Sequence, residues 1–263
     1  MPYILYQFDS LDVPGTGANY ASHEITPGEA QSGLVSLPSG LMYDSLGSEW
    51  ARSSAPTVRA TGRLVAATAA DLKTALDNWL AKRGKRATLT RKSDGGTVHS
   101  TTARLLSVRA PREPGFRLFV PVELTFELLS LPWDGTSHAD STVLNTSPKT
   151  VTVTNNGNAR VTDPVITITA GSTAITVVTV AVSGVSSWTY TGTIASTKAL
   201  VVDCGALSVK NDGANAYSGF ALNAGHVVDD WIRLEPGNTS VVVTLTGGST
   251  DSSIKFEFYD GWA

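Results

Sequence analysis

The hydrophobic pattern of this chain repeats every two residues almost throughout, and only one segment has the period of a helix. Short runs rich in Thr, Val and Ile alternate apolar with polar residues, and Gly, Asn, Asp and Ser separate these runs. Such alternation is typical of half-buried antiparallel strands, because successive side chains of a strand point to opposite faces. The sequence therefore predicts a mainly β protein.

The helical segment is 68–84. Its apolar residues recur at the spacing of one helix face: Leu72, Ala75, Leu76, Trp79 and Leu80. Thr68 and Asp71 resemble a capping box, with Asp in place of the usual Glu. We expect Lys82 and Arg83 to lie in the last turn, where cations complement the helix dipole, and Gly84 to follow at C′.

The strands of the first half surround this helix in sequence. Alternation predicts strands at 86–92, 98–109 and 116–129, with Ser93–Gly96 as a hairpin turn. One helix among several strands predicts a β-barrel or split barrel with the helix packed on it.

The second half is predicted to be an antiparallel β-sandwich, because it contains many short strands with turn signals between them. The predicted strands are 150–154, 165–169, 174–182, 187–191, 199–203, 240–246 and 253–259. The stretch 131–148 has the Pro, Gly, Ser and Asp content of a linker or domain seam. We place the boundary between Asp134 and Pro148, which gives an N-terminal domain of 1–134 and a C-terminal domain of 135–263.

Composition excludes several functional classes. The net charge of −3 and the 16% of charged residues argue against affinity for phosphate backbones. A single cysteine excludes a disulfide framework and cysteine-rich metal sites. The longest uncharged run, 164–197, is too rich in Thr, Ser and Gly for a membrane helix, which needs about 20 predominantly apolar residues. We therefore expect no cofactor, no metal and no membrane insertion.

No catalytic constellation is evident in the sequence. It has no GxSxG elbow, no phosphate-binding loop and no GxGxxG motif. Cys204 is expected to be a small buried residue. Asp229 and Asp230, with His226 nearby, are expected to lie in a loop, because adjacent side chains on a strand point to opposite faces and do not converge on one site. We therefore do not expect an enzyme.

Two residue sets allow more than one interpretation. The basic residues Lys82, Arg83, Lys85, Arg86, Arg91 and Lys92 form a solvated helix end and hairpin edge, or they lie at a subunit interface or line a channel. The aromatic residues Trp188, Tyr190, Tyr217 and Trp231 form a surface for stacking sugars, or they pack in the core. For most of the aromatic residues we favour the core.

The last 35 residues, 229–263, resemble the close of siphophage distal tail proteins. That family has a turn before its two final strands, here Leu234, Pro236, Gly237 and Asn238, and a terminal tryptophan, here Trp262. Upstream, 151–171 resembles the family's Asn-x-Gly segment and the Pro-initiated strand that follows. The stretch 188–217 resembles the next part, with a strand ending at Asp203 and a turn at 211–213. The layout of the first half is also similar, so the resemblance covers nearly the whole chain.

The resemblance implies a structural role in the virion, at the tip of a non-contractile tail. Distal tail proteins form a homo-hexameric ring from their N-terminal domains, while galectin-like C-terminal sandwiches project outward. The implied partners are the tail tube protein, the trimeric tail hub protein, the tape measure protein, and receptor-binding proteins or side fibres. DNA passes through the ring without specific binding. The resemblance also implies that the protein is made in the host cytoplasm.

Two alternatives come from other functional classes. A carbohydrate-binding, lectin-like sandwich requires exposed aromatic residues in one patch, with Trp188 or Trp231 as candidates. A glycan-cleaving enzyme requires two carboxylates roughly 5 to 10 Å apart in a cleft, and the sequence suggests no such pair.

Overall fold

The structure is a computed structural model that describes residues 3–14, 22–26, 34–36, 42–44, 57–93, 96–111, 118–130, 132–182, 186–223 and 231–262. The chain divides into two compact units, 1–131 and 132–263. This division falls three residues before the end of the N-terminal domain that the sequence analysis proposes. Each unit is described separately below.

The first unit is built on one antiparallel sheet. Its elements are β1 (Tyr3–Phe8), β2 (Leu11–Asp12), β3 (Ser22–Thr26), β4 (Leu34–Ser36), β5 (Met42–Asp44), β6 (Thr57–Val65), α1 (Ala69–Ala81), β7 (Arg86–Ser93), β8 (Val98–Arg109) and β9 (Phe119–Leu128). The strand order is β2–β1–β7–β8–β9–β6–β3, and β4 pairs separately with β5.

The sheet of the first unit is strongly curled. The ring centroids of Phe8 on β1 and Phe126 on β9 lie 5.1 Å apart, although three strand spacings, roughly 14 Å in a flat sheet, separate these strands. Both rings are fully buried, so the curl encloses the core of this unit. Among the described strands no ladder closes the sheet into a barrel, and β2 and β3 are its two ends.

Helix α1 begins at its predicted cap. The Thr68 hydroxyl accepts the backbone N–H of Asp71 at 3.1 Å, and the helix contacts β6. Leu76 and Trp79 are buried, whereas Leu80 is 46% exposed. The spacing placed Leu80 on the apolar face with Leu76 and Trp79, so a prediction that Leu80 is buried with them is wrong. At 3.6 residues per turn Leu80 lies about 100° around the axis from Trp79, at the margin of the apolar face.

The end of α1 also differs from the prediction. Its last turn contains no basic residue, because the helix ends at Ala81 and Lys82 is the C-cap. Lys82 instead forms an ion pair with Asp9. Gly84 has a φ of +80°, in the region that glycine favours. Because Lys82 is the C-cap, Gly84 lies at C″, one residue beyond the C′ position predicted for it.

The second unit is an antiparallel sandwich, as predicted. Its elements are β10 (Trp133–Val143), β11 (Lys149–Asn155), β12 (Val165–Thr169), β13 (Ile175–Val182), β14 (Ser186–Ile194), β15 (Ala199–Asp203), β16 (Ser208–Asn211), β17 (Ala214–Asn215), a 3₁₀ turn (Tyr217–Gly219), β18 (Phe220–Leu222), β19 (Gly237–Gly247) and β20 (Ser253–Trp262). One sheet has the order β17–β16–β15–β12–β20–β10 and the other has the order β11–β19–β13–β14–β18.

The core of the second unit lies between its two sheets. Ile166 and Phe256 from the first sheet belong to one buried cluster with Val178, Trp188 and Val243 from the second. These residues alternate with exposed or half-buried neighbours along each strand, which is the pattern that the sequence analysis used. The period-two prediction thus located the core of this unit.

Strand β10 occupies most of 131–148 and contradicts a linker there, whereas the division between the two units, at 131–132, does fall within this stretch. It pairs with β20 from Trp133 opposite Trp262 to Val143 opposite Ser253, with an irregularity in the register between Asp134 and Ser137. Its composition resembles that of a loop because most of its side chains, from Thr136 to Val143, are exposed or half-buried. Backbone hydrogen bonds hold such a strand in place even when it has few apolar side chains. Its sequence therefore lacks the hydrophobic alternation by which the other strands were predicted.

Candidate functional site

The basic residues do not form a single surface. Lys82 and Lys85 both form ion pairs with Asp9 of the same unit, and the Lys85 Nζ lies 2.6 Å from its Oδ2. The hydrogen bond from Lys82, and to a smaller extent the one from Lys85, hold the pKa of Asp9 below its usual range. Asp9 in turn raises the pKa of Lys85. These two lysines therefore join the helix end to the β1–β2 turn.

Arg83, Arg86 and Lys92 are exposed, and they complete the surface part of the basic set. Arg86 stands directly opposite Arg104 in the β7–β8 ladder. Like charges at directly opposed positions destabilise a sheet. The Glu127 carboxylate lies 3.5 Å from Arg104 on its other side. Glu127 therefore offsets the charge of Arg104, and Arg83 and Arg86 supply exposed positive charge at this end of the sheet.

Arg91 was wrongly placed on the hairpin surface, because it is only 2% exposed. It alternates with Thr90 and Lys92 and therefore shares the inner face of the sheet with buried Leu89. Its direct cross-strand partner is His99, which is also buried. Burial first, and the charge of Arg91 second, lower the pKa of His99.

The segment 234–238 joins three parts of the sandwich. Leu234 is fully buried and exchanges two backbone hydrogen bonds of 2.9 Å with Val161. Pro236 is exposed, and Gly237 begins β19 with a φ of +87°. The Asn238 side chain accepts the Thr154 hydroxyl at 2.9 Å. These contacts hold neighbouring segments of the sandwich together.

The aromatic residues pack mainly in the core, as the sequence analysis favoured. Trp188 and Tyr190 are buried, as is Trp231. Phe220 connects two of these rings, with centroids 5.4 Å from Trp188 and 5.0 Å from Trp231. Tyr217 is 49% exposed. The two tryptophans named for a sugar-stacking surface are therefore not available for it.

Cys204 is buried, as predicted, and it lines a cavity of about 400 Å³ together with Asp163, Trp231 and Arg233. Burial, followed by the charge of Asp203, raises the pKa of the Cys204 thiol to about 12. The nucleophilic form of cysteine is the thiolate. At neutral pH this thiol stays protonated and unreactive.

The carboxylates near this cavity do not form the arrangement of a glycosidase. Burial, and then the charge of Asp163, raise the pKa of Asp134. Asp163 lines the cavity but Asp134 does not. A glycan-cleaving site needs both carboxylates to flank the same bond, so this pair does not provide one.

A buried polar network in the second unit was not predicted. The Asn155 side chain is fully buried and donates to the carbonyls of Ala159 at 2.8 Å and Leu234 at 3.4 Å. Its oxygen accepts the N–H groups of Gly157 at 3.0 Å and Gly261 at 3.2 Å. The only signal in the sequence was the Asn-x-Gly segment. One side chain thus fixes three separate stretches of backbone.

The same region contains a buried carboxylate. Asp260 is 2% exposed and accepts the backbone N–H of Asn156 at 2.7 Å. The His138 Nε2 lies 3.0 Å from the same carboxylate, and its ring stacks on Phe258 with centroids 4.8 Å apart. His138 belongs to β10, the strand that the sequence analysis missed. These contacts attach β10 and the 155–161 segment to the end of β20.

His226, Asp229 and Asp230 lie outside the described residues. Within the ranges that the structure describes, no three His, Cys, Asp or Glu side chains come together as metal ligands. In the same ranges no helix has the length and apolar character needed to cross a bilayer.

Comparison with known proteins gives a structural likeness. No family model matches the chain, and no curated protein matches it. The solved structure of the Dit protein of phage SPP1 aligns over 98% of this chain and 99% of its own, with a TM-score of 0.60 and 17% identity. It is described as a paradigm of the hub adsorption apparatus of phages that infect Gram-positive bacteria.

Two structures of the phage p2 baseplate in its activated conformation, with Ca and with Sr, align less closely. Their TM-scores are 0.38 and 0.37 at 10% and 9% identity, over 99% of this chain and 92% of each of theirs. These two alignments are too distant to add to the fold assignment. From end to end, the chain has the fold of SPP1 Dit, as its resemblance to siphophage distal tail proteins predicted.

Proposed function

We propose that this chain is a structural distal tail protein of a siphophage virion, located at the tail tip. The end-to-end likeness of its fold to SPP1 Dit supports this proposal, because both units of the chain take part in the alignment. The function of a protein depends on its sites as well as its fold. The sites of this chain agree with a structural role, since Cys204 is unreactive at neutral pH and the carboxylates near it do not converge.

We propose that the protein forms a ring, a homo-hexamer built by the N-terminal domain, 1–134. The curled sheet of the first unit supports this, because its described ladders leave β2 and β3 as end strands. An end strand has backbone N–H and C=O groups that are free to pair with another chain. Repeated head-to-tail pairing closes into a ring when the rotation between copies allows it.

The remaining partners follow from the same role. The ring joins the tail tube protein on one side and the trimeric hub protein on the other, with the tape measure protein and the DNA passing through it. The galectin-like sandwich, 135–263, projects outward and holds receptor-binding proteins or side fibres. The net charge of −3 supports passage of DNA without retention, because tight binding needs phosphate neutralisation.

The mass of the full chain in solution tests this proposal. Light scattering and native mass spectrometry should find a species of six times 27.6 kDa, and electron microscopy should show closed rings. The mass is measured at a series of increasing protein concentrations, because assembly follows mass action. Monomers alone at the highest concentration would overturn the hexamer.

A further inference from the structure

We propose that a polar cleft in the second unit binds a neutral polyhydroxylated ligand, a saccharide unit. The cleft has a volume of about 380 Å³. Its polar side chains come from Tyr190, Thr191, Asn211, Asn215 and Ser218. This inference concerns a different part of the chain from the proposed ring and does not depend on it.

The cleft opens where the two sheets of the sandwich meet at their edges. Its walls are β14 of one sheet, the β16–β17 hairpin of the other, and the 3₁₀ turn at 217–219. The Asn211 Nδ2 donates to the Tyr190 hydroxyl at 3.0 Å and to the Thr193 carbonyl at 2.9 Å. Since these bonds connect the two sheets, the walls are fixed before any ligand enters.

Two glycines maintain the shape of the cleft. A Cβ at Gly192 would lie 2.6 Å from the Tyr190 hydroxyl, and a Cβ at Gly219 would lie 2.5 Å from the Thr191 carbonyl oxygen. A side chain at either position would therefore displace the wall. Without side chains there, the segments that form the wall pack closely against one another.

The lining chemistry suits a sugar. It offers three hydroxyls and two carboxamides, and no lining residue is charged. In the described hydrogen bonds the Tyr190 hydroxyl acts only as an acceptor, so its proton is available to a ligand. Sugar hydroxyls both donate and accept, as these groups do, whereas a charged ligand would lose its hydration without gaining a counter-charge.

The size of the cleft limits the ligand. Its volume is near the lower end of the roughly 300–1,000 Å³ that is usual for small-molecule sites, which suits one or two sugar rings. Thr191, Asn215 and Ser218 are exposed, so the bound ring remains partly in solvent. A dissociation constant on the order of millimolar is expected for a ligand of this size and polarity.

The test is a titration of the full chain, deuterated and labelled with nitrogen-15, followed by relaxation-optimised NMR so that the amides are observed whether the chain is a monomer or a ring. Galactose, glucose and N-acetylglucosamine are the neutral probes, and glucuronate is the charged one. At least one neutral sugar should give saturable shifts of the Gly192, Ala214 and Gly219 amides at concentrations up to about 50 mM. Glucuronate should bind at least about fivefold more weakly.

Substitutions separate this cleft from non-specific binding. Ala214→Phe fills the cleft from an exposed position and should abolish the shifts. Ala139→Phe, at an exposed alanine on β10 that does not line the cleft, should leave them unchanged. If Ala214→Phe does not fold, the double variant Thr191→Val and Ser218→Ala replaces it, and it should weaken binding at least about fivefold.

Three outcomes would overturn the inference. They are the absence of saturable shifts with all three neutral sugars, equal binding of glucuronate, and unchanged binding in both cleft variants. Ring formation plays no part in the titration. A negative result therefore leaves the proposed tail-tip role intact, and a monomeric chain leaves the cleft proposal intact.

Discussion

The ammonium of Lys85 lies 2.6 Å from the carboxylate of Asp9, 76 residues earlier in the chain. Lys82 binds the same carboxylate oxygen. Asp9 and the next residue, Ser10, both have positive φ, at 49° and 67°, in the two-residue turn between β1 and β2. Few residues other than glycine adopt such a turn, and the two lysines hold Asp9 in it.

Replacing Asp9 with Asn should lower the thermal stability of the protein at neutral pH. Asn tolerates positive φ as well as Asp does, so the change removes the charge and keeps the turn. The folded-state pKa of Asp9 is depressed, so its stabilisation is present above the unfolded pKa and is lost as pH falls through the folded value. Melting curves at several pH values measure this.

The control for Asp9 is Asp12→Asn on the same hairpin. The melting temperatures of wild type and Asp9→Asn should converge in acid, below the depressed pKa. A difference that stays constant down to that pH would show that the loss comes from the turn backbone rather than from the ion pairs.

Replacing Trp79 with Ala should destabilise the first unit by about 3–5 kcal/mol, because the ring is almost fully buried and its loss leaves a cavity. Leu80→Ala is the matched control on the next residue. Since Leu80 is half exposed, its loss should cost less than about 1 kcal/mol. Denaturant unfolding measures both, and equal costs would contradict the described orientation of α1.

Replacing Gly237 with Ala should cost about 1–2 kcal/mol of stability in the second unit. An added Cβ there meets no atom within 4 Å, so the cost comes only from holding φ at +87°. Gly237→Val should cost more, because β-branched residues are poorly suited to positive φ. Gly237→Asn should restore most of the loss, and a similar loss for Asn and Ala would point to a cause other than φ.

The sequence predicted many of the strands and missed others, among them β6 and β10. Residues 98–109, 165–169 and 199–203 became strands with the predicted bounds. In the latter two the buried face consists of Ile, Leu and Val, whereas in 98–109 it consists of His99, Thr101, Ala103 and Leu105. Strand β10 has mainly polar outward side chains, and its position depends on backbone pairing with β20. That pairing is a long-range property which a local pattern does not contain.

The candidate sites show the same limit. The sequence showed where the basic residues lie in the chain. It did not show which of them form ion pairs, which are exposed and which is buried. Asp9 is 73 residues from Lys82, so nothing local indicated that two of the lysines are paired. Arg91 was assigned to the surface by its charge, whereas the alternation of its own strand, in which Leu89 is buried, indicates the inner face.

Replacing Asn155 with Asp should destabilise the second unit by about 1–3 kcal/mol. The carboxylate keeps its acceptor oxygen for Gly157 and Gly261 but cannot donate to Ala159 and Leu234. Asn238→Asp is the control, because this exposed side chain accepts the Thr154 hydroxyl and an Asp would still accept it. Unfolding free energies decide, and an equal effect of both substitutions would show that added negative charge, rather than the lost donor, causes the change.

Reversing the charges of Arg83 and Arg86 together should weaken the proposed ring without weakening the fold. Both side chains are exposed, so Arg83→Glu with Arg86→Glu should change the unfolding free energy by no more than about 0.5 kcal/mol. Each copy in a closed ring repeats the same interface, so a small effect multiplies. The loss of the ring should be greater in low salt, where charges interact over about 30 Å instead of about 10 Å.

The matched variant, Lys82→Glu with Lys85→Glu, should instead destabilise the fold, because it sets two carboxylates against Asp9. Light scattering in low and high salt, with melting curves of both variants, separates the two effects. Rings of wild-type stability in the arginine variant would return Arg83 and Arg86 to a solvated surface.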